Sequence, residues 1–191
     1  MATRVLVAYA TKMGSTREIA ESIAETLAAA GLAATAVPAA DVKNLDGYDA
    51  VVLGSALYAA YWQRDANRFV TRNLEALQAR PVWLFSSGPL DRRLAAANLP
   101  IAPNAQEITA GINPRGHRTF GGRLDTDSPG VDPQILQTHP LGDFRDWDVI
   151  RAWAMSVAEA LLSDAEEPDD VPAADEAADE TPDAPPEAPG G

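Results

Sequence analysis

Apolar residues along this chain fall into two alternating patterns. One is the short continuous run. "RVLVAY", Arg4 to Tyr9, is β-branched and uninterrupted, the signature of a strand buried on both faces of a parallel sheet. "AATAV" is a weaker second run, "DAVVLGS" (Asp49 to Ser55) a third and "PVWLFSS" a fourth, while "HRTFGGRL" is short and marked by glycine. The other pattern recurs every third or fourth position. Ile19, Ile23 and Leu27, with Ala20 and Ala24 beside them, predict an amphipathic helix that Gly31 ends. "DANRFVTRNLEALQA" predicts one helix carrying Phe69, Leu74 and Leu77, closed by Arg80-Pro81. "RDWDVIRAWAMSVAEALL" predicts the last, with Trp147, Ile150, Ala154, Val157 and Leu161 on one face.

Strands alternating with helices imply right-handed βαβ units and an α/β fold with a mostly parallel five-stranded sheet. Two stretches fit neither pattern. Residues 87–117 hold four prolines and only a hint of helix near "NAQEITAG", and 125–142, "DTDSPGVDPQILQTHPLG", reads as irregular loop. Loops of that length in a compact domain are often functional.

Composition changes this picture at one end. The net charge is −13, yet residues 164–191 hold 11 acidic residues and no basic one, leaving 17 acids against all 15 bases in the remainder. That segment has no aromatic residue and one large aliphatic, Val171. It is too poor in apolar groups to offset chain ordering, so the expected organisation is a folded domain over 1–163 and a disordered acidic, Pro/Ala-rich tail over 164–191. The tail reads either as a solubilising segment or as a docking arm for a basic partner. The near-neutral body suggests no nucleic-acid partner. The absence of cysteine excludes disulfides, thiolate metal sites and thiol redox chemistry. No apolar stretch approaches the length of a membrane span and the N-terminus lacks signal-peptide character, so a soluble cytoplasmic protein without membrane insertion is expected.

The stretch "YATKMGSTRE" carries the candidate chemistry. Ser15 and Glu18 fit a capping box, which makes the loop a good helix start. Thr11, Lys12, Met13 and Gly14 have no part in that box. A strand, a tight turn and a helix N-terminus aim free N–H groups at one point, where the helix dipole adds about half a positive charge. Hydroxyls of Thr11, Ser15 and Thr16, the Lys12 ammonium and the permissive Gly14 complete a nest suited to a phosphate monoester. The nucleoside-triphosphatase motif and G-x-G-x-x-G are both absent. The first and third strand ends, "YATKMG" and "GSALYA", also lack the acids that a phosphoacceptor receiver domain requires. No Ser–His–Asp constellation suggests hydrolysis.

"TKMGST" resembles the FMN phosphate loop of flavodoxin-like domains, where T-x-T-G-x-T or a variant is usual. "GSALYAAYW" and "SSGPLD" stand in place of that family's loops after the third and fourth strands. The resemblance implies a flavodoxin-like three-layer sandwich with strand order 2-1-3-4-5. It implies FMN held at its phosphate by Thr11, Lys12, Met13, Gly14, Ser15 and Thr16. Ser55, Ala56, Leu57, Tyr58 and Ala59 would line one side of the flavin, and Ser87, Gly88, Pro89 and Asp91 the other. "PVWLFSSGPL", "HRTFGGRLD" and "GDFRDWDVIRAWA" resemble flavodoxin-domain proteins related to menaquinone-dependent protoporphyrinogen oxidase, over about residues 3–162. This implies electron transfer or flavin-dependent oxidoreduction, of quinone or porphyrinogen type, with a redox protein or a small-molecule electron donor or acceptor as partner. Two departures stand out. By the resemblance, Ala60 occupies a place where relatives commonly carry glycine. The acidic, proline-bearing 125–142 loop replaces a basic helical insert, which argues against membrane docking and against porphyrinogen oxidation. A chain that has lost FMN and recruits a partner through its tail is the alternative.

Among individual residues, Tyr58, Tyr61 and Trp62 are candidates to stack on a flat ring system. Trp83 is expected in the core and Trp147 and Trp153 in helix packing. His117 and His139 are expected to be surface or satisfied histidines, and Arg92 and Arg93 a solvated pair.

Overall fold

The computed structural model describes residues 2–166. Five parallel strands form its centre: β1 (Arg4–Ala10), β2 (Ala33–Pro38), β3 (Ala50–Tyr58), β5 (Val82–Ser87) and β6 (Gly116–Phe120). They lie in the order β2-β1-β3-β5-β6, and a two-residue strand, β4 (Tyr61–Trp62), folds back antiparallel on the end of β3. Leaving that hairpin aside, this is the predicted 2-1-3-4-5 order. Val5 to Ala8, Val51 to Leu53 and Leu84 to Phe85 are fully buried, as strands covered on both faces must be.

Two apolar layers cover the sheet. On one face α1 (Ser15–Ala29) and α7 (Trp147–Glu166) bring Ile19, Ile23, Leu27, Ile150, Val157 and Leu161 against Val5, Val7 and Phe85. Trp153 meets Phe85 and Phe120 edge-on at 6.3 and 5.6 Å between ring centres. On the other face α2 (Arg64–Arg72), α3 (Leu74–Gln78) and α5 (Pro103–Thr109) bury Phe69, Val70, Leu77 and Ala105 against Leu6, Leu53 and Leu84. Each Val, Leu, Ile or Phe side chain so buried contributes about 1.5–3 kcal/mol. Trp83 is buried as expected.

The structure corrects several sequence expectations. The predicted helix 65–79 breaks at Asn73, which has φ −117° and whose amide donates back to the Phe69 carbonyl at 2.8 Å. "HRTFGGRL" is not one strand. It splits at Gly121-Gly122 into β6 and a short β7 (Arg123–Leu124), which pairs with β8 (Gly142–Asp143) outside the main sheet. The 87–117 stretch contains α4 (Arg92–Ala96) as well as α5, and the 125–142 loop contains α6 (Pro133–Thr138). α7 runs three residues past the expected domain boundary, and Asp164 pairs with Arg115. The rest of the expected tail, 167–191, lies outside the described residues.

Candidate functional site

β1, β3 and β5 end side by side, with Ala10 opposite Ser55 and Ala56 opposite Ser87. β2 and β3 flank β1 on opposite sides, so the chain reverses its winding at β1, and loops leaving such strand ends diverge to form a crevice. Here the crevice is a cleft of about 600 Å³. Thr11, Met13, Ser15 and Thr16 line one end. Ala56, Leu57, Tyr58 and Ala59 form one wall, and Ser87, Gly88 and Pro89 the other.

At the α1 end the local structure differs from a capping box. Gly14 is the N-cap, with φ +89°, a conformation that a side chain resists. Its N–H donates to Thr11 Oγ1 at 3.0 Å. Ser15 therefore stands one place inside the helix, and its buried hydroxyl has no hydrogen-bond partner. The N–H groups of Ser15, Thr16 and Arg17 lack intrahelical acceptors by position. Glu18 turns away to Arg145 at 2.7 Å and Arg123 at 3.4 Å. A buried hydroxyl, a set of free amides and a helix dipole thus converge with no carboxylate among them. A dianionic phosphate satisfies that donor set.

Four of the expected contact residues lie off the cleft lining. Lys12 sets its ammonium 5.3 Å from the centre of the Tyr58 ring, and Gly14 borders a neighbouring recess of about 200 Å³. The fully buried Ser55 hydroxyl accepts from the Gln63 N–H at 2.8 Å and donates to the Ala56 carbonyl at 3.0 Å, which fixes the base of the β3–β4 hairpin. Asp91 caps α4, accepting from the N–H groups of Arg93 and Leu94 at 2.8 and 3.0 Å. Leu90 and Leu94 stand in the wall instead.

Tyr58 is half-buried, and burial pushes its hydroxyl above the ordinary tyrosine range, so it remains a donor. Tyr61 is 59% exposed. Trp62 is buried and donates to Ser86 Oγ at 2.8 Å. Ser86 Oγ in turn meets His117 Nε2 at 3.0 Å. Ser86 Oγ accepts from Trp62 and shares one further hydrogen bond with Nε2, in the direction set by the imidazole tautomer. Burial pushes His117 down to about 4. His117 is thus a part-buried residue hydrogen-bonded to Ser86, outside the cleft lining.

Leu99, Arg123, Leu124, Ile135 and His139 also line the cleft, along with Ala60. Arg123, Leu124, Ile135 and His139 arrive because residues 121–146 fold back toward α1, while Leu99 follows α4 and Ala60 belongs to the β3–β4 turn. Arg145, its side chain 3% exposed, binds Asp143 at 2.6 Å and Glu18 at 2.7 Å. Burial alone would raise the Asp143 carboxyl, and the hydrogen bonds from Arg145 outweigh it and hold the group below its ordinary value. The "GG" at 121–122 signalled a close approach: a Cβ on Gly121 would lie 2.0 Å from the Phe144 carbonyl oxygen. Nothing in the apolar periodicity signalled where 131–141 would land, so His139 was missed. Among the described residues no group of three or more His, Asp or Glu side chains could hold a metal ion, and no helix is long and apolar enough to cross a membrane.

A family model described as the flavodoxin domain matches residues 6–131. No curated protein matches the chain in sequence. Among solved structures, the chain is similar to oxidised Flavodoxin 2 from Bacillus cereus, with 20% identity, a TM-score of 0.56, and 83% of this chain and 99% of that one covered. It is also similar to the Flv1 flavodiiron core from Synechocystis sp. PCC6803, with 16% identity, a TM-score of 0.61 and coverage of 85% and 37%. Rubredoxin oxygen:oxidoreductase from Desulfovibrio gigas gives 13%, 0.59, 86% and 37%. The chain thus spans little more than a third of the latter two proteins.

Proposed function

The chain belongs to the flavodoxin domain family, and from that membership we propose that it binds FMN in the cleft beyond β1, β3 and β5 and passes electrons between a donor and an acceptor. FMN at the switch point between β1 and β3 is the family's arrangement. When bound, it supplies one- and two-electron chemistry that no side chain here provides. The observation that carries the reading is the buried, unpartnered Ser15 hydroxyl beside the free first-turn amides of α1.

In this proposal Thr11, Ser15 and Thr16, with the main chain from Lys12 to Gly14, hold the phosphate. Lys12 acts through its charge. Leu57, Tyr58 and Ala59 cover one side of the ring system, and Ser87, Gly88 and Pro89 the other. Their lack of charge excludes water and disfavours added negative charge on whatever they enclose. Tyr58, kept protonated by burial, donates a hydrogen bond without serving as an acid at neutral pH. Ser55 and Asp91 act indirectly, by fixing the hairpin and α4. Neither electron nor hydride transfer requires a general acid among these residues.

Flavin-dependent oxidoreduction of a small molecule, of the quinone or porphyrinogen type, is the finer form of the proposal. It is supported by the apolar extension of the cleft through Leu94, Leu99, Leu124 and Ile135. Membrane docking, and with it the porphyrinogen form, is disfavoured by the acids and prolines of 125–142, which leaves the quinone type as the favoured one.

Titration of the purified chain with FMN, followed by flavin fluorescence and calorimetry, tests the reading. Gly14→Asp sets a carboxylate against the phosphate, whereas the near-isosteric Gly14→Asn tolerates φ > 0 without the charge. We expect Asp to lower affinity at least about a hundredfold and Asn far less, a difference of about 2.7 kcal/mol at the lower bound. Equal affinity in the two variants, or no uptake by the wild-type chain, would overturn the assignment.

A further inference from the structure

A second cavity, of about 430 Å³, opens at the edge of the sheet between α4, the end of β6 and the first turn of α7. Arg92, Arg118, Arg145 and Arg151 line it, facing two carboxylates, Asp146 and Asp148. The carboxylates have other partners. Asp146 caps α7, accepting from the N–H groups of Asp148 and Val149 at 3.1 Å, and Asp148 pairs with Arg151 at 2.6 Å. Arg145 is committed to Glu18 and Asp143.

With Arg145 so committed, three arginines face two carboxylates, and Arg92 and Arg118 are left without an ion-pair partner among the described residues. Arg118 Nε is also buried with no hydrogen-bond partner. A buried guanidinium N–H without an acceptor is costly unless something fills the site. Phe120, Phe144, Trp147, Ala95 and Ala96 give the cavity apolar and aromatic surfaces. Only one layer of chain separates it from the main cleft: Leu94 and Gly122 line the cleft, and Ala95 and Gly121 line the cavity.

We propose that this cavity is a second binding site, for a small organic anion with a phosphate or carboxylate head and a flat apolar body. The head engages the planar guanidinium of Arg118, a geometry suited to paired hydrogen bonds to an oxyanion. Arg92 adds charge from the rim, and the body rests on the aromatic surfaces. The site is separate from the α1 phosphate nest and independent of the flavin reading.

Calorimetric titration of the full chain with phenyl phosphate tests it. The same titration on Gly14→Asp, in which the α1 nest is blocked, removes any uptake there. Binding is expected in both, with a Kd of roughly 0.1–1 mM. Arg118→Leu and the solvent-facing Arg92→Leu should each weaken it about tenfold, whereas Lys43→Leu, remote from the cavity, should leave it unchanged. Phenol should bind far more weakly than phenyl phosphate. Binding abolished by Gly14→Asp but untouched by Arg118→Leu and Arg92→Leu would overturn the proposal. So would the absence of binding, or equal affinity for phenol.

Discussion

Two alanines in succession hold the left-handed conformation at the mouth of the cleft: Ala59 at φ 48° and Ala60 at φ 63°. They turn β3 back into β4, a turn in which positive φ at both central residues matches the strand twist. Alanine resists this conformation, so the turn carries strain, held in place by the Ser55–Gln63 bond and the buried Trp62. Left-handed alanine costs about 1 kcal/mol or more, part of which a glycine would return to the unfolded chain as entropy. Ala60→Gly should thus stabilise the fold by about 0.5–1 kcal/mol and raise Tm by about 2 °C, read by circular dichroism. A fall in Tm would mean that the turn is unstrained. His117 gives a second residue-scale prediction. Its folded pKa of about 4 lies below the ordinary 6.5, so between those values the unfolded chain binds more protons. The stability it contributes is complete above pH 6.5 and is lost as pH falls toward 4, by an amount on the order of 2 kcal/mol after discounting for the ring's partial exposure. Urea midpoints should fall over that window in the wild-type chain and less steeply in His117→Gln. Parallel slopes would assign the acid loss to other groups.

At the scale of elements, what was legible in the sequence followed from period and punctuation. Three of the runs became β1, β3 and β5 because continuous apolar residues suit strands covered on both faces, the weaker "AATAV" became the part-exposed edge strand β2, and Ile19, Ile23 and Leu27 turned one helix face to the sheet. The phosphate loop was legible because its residues are consecutive. Three details were not. The capping box at Ser15 fails because Gly14, not Ser15, takes the cap, and Glu18 is drawn to arginines more than a hundred residues away. The helix break at Asn73 depends on a local side-chain bond that competes with the helix. The far wall of the cleft depends on a long-range charge cluster that no local pattern encodes. That cluster yields a prediction. Arg145→Met removes a nearly buried guanidinium that ties β8 to α1 and leaves Glu18 and Asp143, both part-exposed, without it. We expect a loss of about 2–3 kcal/mol in urea unfolding, below the cost of breaking a fully buried pair because water reaches both carboxylates. Arg123→Met, whose partners are as exposed as it is, should cost under about 1 kcal/mol. Equal losses would mean that burial of Arg145 does not set the strength of the tie.

For the whole molecule the question is where the charge lies. Nine of the 28 acidic residues fall within 167–191 and none of the 15 basic ones does, so a chain ending at Glu166 would carry −4 in place of −13. Among the described residues, which end at Glu166, both apolar layers and the cleft walls are already built, and 167–191 offers them no aromatic residue and one large aliphatic, Val171. Removing 167–191 should therefore leave Tm within about 1 °C and FMN affinity unchanged. Cutting after Ser163 removes the last three residues of α7, most of a turn, and the part-exposed Arg115–Asp164 pair, at a cost of under about 1 kcal/mol. The difference between full-length and shortened chains should lie in long-range attraction. A strongly negative molecule draws a cationic electron acceptor by its field, and salt screens that field over about 8 Å at physiological ionic strength. Reduction of a cationic acceptor by the reduced, FMN-loaded chain should therefore be faster for the full-length protein at low salt. The two chains should converge as salt is added, and the shortened one should show the flatter slope. Identical slopes would show that the acidic segment does not steer partners and would leave solubility as its contribution.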